Sequence, residues 1–128
     1  MIYLDTSAML KLLFDEAGSM GLRDYLSNDA ALVSSTLLVV EGRRGVLRRA
    51  PERIAKLDLL LTQVKTVAIS DTIIESASRL PSPMLRSLDA IHLATALLIR
   101  EDVDALVSYD DRLTAAATAH GLKTATPV

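Results

Sequence analysis

The chain has 128 residues, half of them hydrophobic and only 3 % aromatic, so a single domain with an aliphatic core is expected. It has no Cys and two His, which excludes disulfides, thiol nucleophiles, zinc–thiolate centres and His-rich metal sites. The net charge of −2 is not the footprint of a general nucleic-acid binder.

The elements alternate along the chain. Ile2 to Leu4 is a short apolar run that stops at Asp5, and Ser7 to Phe14 has helical spacing. Gly18 and Gly21 bracket a turn before a helix over Met20 to Leu26. Ala30 to Val33 is a second strand, stopped by Ser34 and Ser35. Thr36 to about Arg49 reads as a long helix, and Pro51 suits the first turn of another that runs to about Leu61. Val64 to Ile69 is a third strand, and Ser70 or Asp71 caps a helix to about Leu80. Pro81, Ser82 and Pro83 break the chain. Leu88 to Ile99 is the strongest amphipathic run, with Leu88, Ile91, His92, Thr95, Leu98 and Ile99 near one face. Ala105 to Val107 is a fourth strand, Asp111 to Ala119 a helix stopped by Gly121, and Leu122 to Ala125 a fifth strand. Short apolar strands alternating with helices predict an α/β fold over 1–128. The expected form is a parallel sheet of about five strands covered by helices on both faces.

Four acids stand out in this framework: Asp5, Glu41, Asp89 and Asp110. Two follow strands and two interrupt apolar helical runs. A carboxylate beside a core is costly unless something positive compensates it. With Cys absent and His scarce, that partner is a hard cation on oxygen ligands, Mg²⁺ or Mn²⁺. If the first and fourth strands are neighbours, Asp5 and Asp110 meet in the crevice outside their carboxyl ends. Glu41 and Asp89 would enter it from helix starts. Clustered carboxylates repel, so some are expected to have raised pKa values without metal.

Each acid has a plainer reading. Asp5, and either Asp110 or Asp111, suit helix N-caps. Asp89 suits a helix first turn, and Glu41 could pair with Arg44 or Arg48 on its own helix. Thr6, Ser7 and Ser108 neighbour the acids, as candidate partners of a carboxylate or phosphate or as caps. His92 reads as a packed helix residue and His120 as a helix-end cation. Arg43, Arg44, Arg48, Arg49, Arg53 and Lys56 against Glu52 form a segment of net charge +5, a candidate track for phosphates or a solvated face. Arg86 and Arg112 are further candidate contacts.

In this order the four segments resemble the PIN-domain family, specifically VapC-type toxins of toxin–antitoxin pairs. Ile2-Tyr3-Leu4-Asp5-Thr6-Ser7-Ala8 resembles the first motif, and Ser35 through Glu41 and Arg44 the second. Leu85 through Ala94 closely matches the third, and Val107 through Leu113 resembles the fourth. Ser108 stands where Thr is common, and Gly42 and Gly45 interrupt the Glu41 helix. The resemblance implies a three-layer PIN-like fold with Asp5, Glu41, Asp89 and Asp110 holding the metal, Asp110 being preferred to Asp111. It also implies a Mg²⁺- or Mn²⁺-dependent endoribonuclease toxin acting on structured RNA such as tRNA or rRNA. The implied partners are a VapB-type antitoxin and a second copy of the chain.

Two other classes compete. A receiver-like phosphoacceptor domain needs paired acids after the first strand and a late Lys, whereas Asp5 stands alone and Lys123 lies in the last strand. A catalytically inactive PIN-like binding module would bind metal weakly and cut nothing. No leader with a basic start and an apolar core opens the chain, and no apolar run reaches roughly 18 residues. The expectation is a cytoplasmic protein that does not enter a membrane.

Overall fold

A computed structural model describes residues 1–27 and 30–128. Among these residues five strands, β1 (Ile2–Leu4), β2 (Leu32–Ser35), β3 (Val64–Val67), β4 (Ala105–Val107) and β5 (Thr124–Ala125), form one sheet. Every pairing is parallel, in the order β3-β2-β1-β4-β5. Tyr3 lies opposite Val33 on one side and Leu106 on the other, in the centre of the sheet. The expected adjacency of the first and fourth strands is therefore present.

Among the described residues, seven α-helices connect the strands: α1 (Thr6–Leu13), α2 (Ser19–Leu26), α3 (Leu37–Arg49), α4 (Ile54–Leu61), α5 (Asp71–Ser78), α6 (Ser87–Leu98) and α7 (Asp111–Ala119). Crossovers between parallel strands are right-handed. Those from β1 to β2 to β3 run one way along the sheet, and those from β3 to β4 to β5 run back the other way. The two sets of helices must then fall on opposite faces. The packing agrees: Ile2, Leu4, Ala105 and Val107 bury against Ala8 and Leu22, while Tyr3, Val33 and Leu106 bury against Leu93, Ala96, Leu113 and Ala117. The period-two alternation of side chains along a strand supplies both faces. A third cluster joins α1, α3 and α4 through Met9, Leu13, Leu38, Val46 and Leu57.

Several element ends differ from expectation. The second strand spans Leu32–Ser35, through the two serines expected to stop it, rather than Ala30 to Val33; the third stops at Val67 rather than Ile69, and the fifth begins at Thr124 rather than Leu122. Hydrophobicity continues beyond the pairing in each case, because those side chains can pack without a ladder partner. Gly21 lies inside α2 instead of ending a turn, and a Cβ there would overlap the Val128 backbone. Pro51 opens a short 3₁₀ turn (Pro51–Arg53) rather than an α-helix. Ser70, not Asp71, caps α5, accepting from the Ile73 amide at 3.3 Å. Gly121 stops α7 in the left-handed region, φ 88°, as expected.

Helix α6 is not amphipathic in the expected sense. His92 and Thr95 are buried, but Leu88 and Leu98 of the same expected face are about half exposed. Ala90, Leu93, Ala94 and Ala96 are buried as well, so α6 is enclosed on most sides in its middle. No helix among the described residues is long and apolar enough to cross a membrane.

Candidate active site

The sheet's order reverses between β1 and β4, and the crevice beyond their carboxyl ends is where α/β sheets bind ligands. Helices run back against the strands, so α1, α3, α6 and α7 bring their N-terminal turns to this edge. Asp5 leads into α1, Glu41 lies in the second turn of α3, Asp89 in the first turn of α6, and Asp110 leads into α7. Glu41, Asp89 and Asp110 line one open cleft of about 330 Å³ together with Arg86, Ser87 and Leu88. Asp5 lies beneath, only 3 % exposed. Among the described residues, a hollow of about 350 Å³ between α1, α2 and α4 is lined by no carboxylate, and its Arg23 is tied to Asp15 at 2.8 Å.

Asp5 is held rigidly. Its Oδ1 accepts from Ser7 Oγ at 2.6 Å and from the Ala8 amide at 2.9 Å, and its Oδ2 accepts from Ser108 Oγ at 2.5 Å. Ser7 and Ser108 are oriented in turn, accepting from the Tyr109 amide at 2.9 Å and the Asp110 amide at 3.0 Å. Burial pushes the Asp5 carboxyl up, and the three donors offset only part of that. The cap reading of Asp5 holds, its side chain accepting from the Ala8 amide at the start of α1.

Asp110 divides the two roles between its oxygens. Oδ1 caps α7, accepting from the Arg112 and Leu113 amides at 2.9 and 3.1 Å. Oδ2 faces Arg86 Nη2 at 3.8 Å. Asp111 is exposed on the first turn of α7 and is not part of the cleft lining. Of the two, Asp110 is the one that lines the cleft.

Asp89 and Glu41 face the same cleft and shift in opposite directions. Asp89 is pushed up by burial first, then by the charges of Asp110 and Asp5. The expected carboxylate repulsion is thus present, although burial is the larger cause. Burial also acts to raise Glu41, but hydrogen bonds from His92 and Thr6 outweigh it and hold the carboxyl below its usual range. Thr6 Oγ1 donates to Glu41 Oε1 at 2.6 Å, and His92 Nε2 stands 2.9 Å from the same oxygen. The candidate pairing of Glu41 with Arg44 or Arg48 is not formed. The helix turns Glu41 toward α6, where a buried imidazole is nearer than any guanidinium.

His92 is packed in α6 as expected, but its link to the cleft was not foreseen. It is only 1 % exposed, yet it touches a cleft acid through one nitrogen and Tyr3 Oη through the other, at 2.8 Å. The available signal was spacing. His92 follows Asp89 by three positions on a helix, which puts both on one side, and a buried imidazole needs partners.

The basic segment does not form one track. Arg43 pairs with Asp58 at 3.2 Å, Arg49 reaches Glu16 at 3.3 Å and lies over the Phe14 ring, and Arg53 donates to the Leu13 carbonyl. These three fasten α3 and the following turn to α1 and α4. Arg44 and Arg48, three and seven positions after Glu41, continue its side of α3 and are exposed. Arg86 overhangs the cleft, 4.0 Å from Asp89 Oδ2, and Arg112 borders a separate hollow with Pro83 and Met84. Gly42 and Gly45 serve the protein's own packing. Added Cβ atoms would meet Leu57 at 3.6 Å and Leu10 at 3.3 Å, so the glycines bring α3 close to α4 and α1.

Comparison with known proteins agrees with this arrangement. The model of the family described as "PIN domain" matches residues 2–119. The chain belongs to the PIN-domain family. Ribonuclease VapC35 of Mycobacterium tuberculosis is 40 % identical over 131 residues, covering 99 % of this chain and 97 % of that protein. Among solved structures, M. tuberculosis VapC20, described as a sarcin–ricin loop cleaving toxin, superposes with a TM-score of 0.74. It is 18 % identical and covers 95 % of this chain and 96 % of its own. VapBC2 of Rickettsia felis, solved with a DNA fragment from its promoter, gives 0.73 at 17 % identity, with all of both chains covered. The sheet, its helices and their order are those of a VapC-type PIN domain, which removes the receiver-like reading.

The residues also bear on metal binding. Among the described residues no three acidic or histidine side chains already close on one point as a ligand cage. The donors nevertheless suit a hard divalent cation. They are carboxylate oxygens on a shared cleft, Asp89 is destabilised by its acidic neighbours, and the nearest guanidinium, Arg86, is loose and largely exposed.

Proposed function

We propose that this chain is a Mg²⁺- or Mn²⁺-dependent endoribonuclease, the toxin of a VapBC-type pair, restrained by a VapB-type antitoxin. The observation that carries this is the cleft at the β1–β4 crevice, lined by Glu41, Asp89 and Asp110, with the buried Asp5 near enough for its charge to act on Asp89. The names of its relatives support the ribonuclease assignment, and the antitoxin complexes among its structural neighbours support the partner.

A divalent cation bound there supplies Lewis acidity toward a phosphodiester oxygen and toward water. The reaction is hydrolysis: a water oxygen forms a bond to phosphorus as the bond to a bridging ribose oxygen breaks. Asp5, Glu41, Asp89 and Asp110 would hold the cation. Asp5 contributes a carboxylate fixed by Ser7, Ala8 and Ser108, and Glu41 one fixed by Thr6 and His92. Asp110 Oδ2 and Asp89, with no such brace, adjust to the ion. Arg86 is placed to meet a phosphate at the rim, with Arg44 and Arg48 further along α3 and Arg112 on α7. The proposed substrate class is structured RNA, tRNA or an rRNA loop. The proposed assembly is a homodimer that joins the antitoxin in a hetero-oligomer, in the cytoplasm.

The test is incubation of the purified protein with total RNA, with Mg²⁺ or Mn²⁺ and with EDTA, alongside Asp5→Ala and Asp89→Ala. Cleavage should require the cation and disappear in both variants. Persistent cutting in EDTA sinks the metal-dependent reading. Absence of both cutting and cation binding in the wild type favours an inactive binding module.

A further inference from the structure

His92 is an imidazole in the protein interior with both ring nitrogens engaged. Nε2 faces Glu41 Oε1, and an ionised carboxylate only accepts hydrogen bonds, so Nε2 carries a proton. In the neutral ring Nδ1 then accepts from the Tyr3 hydroxyl at 2.8 Å. Tyr3 is fully buried on the central strand, its ring edge-on to the imidazole at 5.9 Å and 83°. With the ring neutral, a directed chain of hydrogen bonds runs from Tyr3 through His92 to Glu41.

Packing alone does not call for this chain. Phe and Leu would fill the same space without burying a hydroxyl and an imidazole, groups that are costly unless satisfied. The chain ends on one chosen atom, Glu41 Oε1. Thr6 Oγ1 donates to that same atom, so both its lone pairs are occupied. Oε2 has no hydrogen-bond partner among the described residues, and Glu41 lines the open cleft.

We propose that Tyr3 and His92 are positioning residues for the ribonuclease site, fixing Glu41 so that it presents a single oxygen, Oε2, to the cation. The inference rests on the metal-dependent reading given above. Outer partners that orient metal-binding side chains are typically worth about 10- to 100-fold in metal affinity or activity. Tyr3 acts at one further remove and has the smaller share.

The test uses Mn²⁺ binding followed by electron paramagnetic resonance, with RNA cleavage measured in parallel. Wild type, His92→Leu, His92→Gln and Tyr3→Phe are compared, with thermal melts to identify any that fail to fold. His92→Leu should bind Mn²⁺ about 10- to 100-fold more weakly. His92→Gln, whose side-chain amide can still donate to Oε1, should recover most of that affinity, which a role in packing alone does not require. Tyr3→Phe removes only one oxygen atom and should weaken binding several-fold, so the question stays answerable if His92→Leu does not fold. Imidazole ¹⁵N NMR of the metal-free wild type should show the Nε2-protonated tautomer.

An Nδ1-protonated ring, or folded His92→Leu and Tyr3→Phe proteins that bind Mn²⁺ as the wild type does, overturns the positioning role and leaves the ribonuclease reading standing. A wild type that neither binds Mn²⁺ nor cuts RNA overturns that reading and the positioning role together.

Discussion

The two sides of the cleft each place a basic side chain against acids, with opposite results. On one side His92, fully buried, stands 2.9 Å from Glu41, and Thr6 adds a second donor. On the other side Arg86, with 72 % of its side chain exposed, stands 4.0 Å from Asp89 and 3.8 Å from Asp110. Glu41 is held below the usual carboxylate range and Asp89 is pushed above it. A permanent charge on Arg86 does less than a hydrogen-bonded imidazole, because water screens a loose surface pair. One side of the cleft is built before any ligand arrives, and the other is left adjustable and electrostatically unsatisfied.

The largest effect that can test this comparison is loss of the reaction itself. A bound cation's stabilisation of developing charge is worth several kcal/mol. Deleting a braced carboxylate or an unbraced one, by Asp5→Ala or Asp89→Ala, should slow RNA cleavage by about a thousandfold, about 4 kcal/mol in the barrier. Single-turnover rates at saturating Mn²⁺ measure it. A loss at Asp5 with none at Asp89 would mean that the unsatisfied side is not part of the reaction.

Next is the brace on Asp5. Ser108→Ala removes the hydroxyl that donates to Oδ2 and leaves a buried carboxyl with one donor fewer. Such a group costs about 1–3 kcal/mol, so thermal unfolding should fall by several degrees at neutral pH. A melt unchanged from wild type would show that Asp5 does not depend on its hydroxyl partners.

The sheet and its order of elements were legible in the sequence because they rest on short-range signals. β1 and β4 are three-residue apolar runs, each followed within three positions by an acid, and Gly121 needs a left-handed backbone. The four candidate acids were also legible, from their places at the ends of strands and starts of helices. The bonds around them were not. Ser108 and Asp5 are 103 positions apart, and His92 and Glu41 are 51 apart. Sequence periodicity says that His92 is packed, but not what it is packed against. The basic segment misled for a related reason. A run of Arg records charge, whereas the direction of each side chain is set by its turn on α3, which sends Arg43 to Asp58 and Arg49 to Phe14.

The opposite shifts of Glu41 and Asp89 give opposite pH signatures in the metal-free protein. Glu41 is lowered on folding, so it contributes stability above the ordinary Glu range near about 4.3, and loses it as pH falls through its folded value. Asp89 is raised, so folding favours its protonated form. Its ionisation removes stability as pH rises from the ordinary Asp range, near about 3.9, through its raised value. Asp89→Asn should therefore raise the melting temperature at neutral pH by a few degrees, while Glu41→Gln lowers it. Both differences should shrink toward the acid end, and saturating Mn²⁺ should reverse the advantage of Asp89→Asn. Melts from about pH 4 to 8, with and without Mn²⁺, read both signs, and a matching sign for the two variants would break the contrast.

The smallest effect belongs to the guanidinium groups, and it separates those that face the cleft from those that hold the protein together. Arg86→Ala removes only exposed pairs at 3.8–4.0 Å, so stability should change by less than about 0.5 kcal/mol. If Arg86 meets a phosphate, binding of RNA to a cleavage-deficient background should weaken, and its salt slope should fall by about one. Arg43→Ala, which breaks the pair with Asp58 on the far side of α3, should leave that slope unchanged. Fluorescence anisotropy with labelled RNA across a salt series compares the two directly. Equal slopes would place the RNA on some surface other than the rim of the cleft, and would leave Arg86 as a loose counter-ion to Asp89 and Asp110.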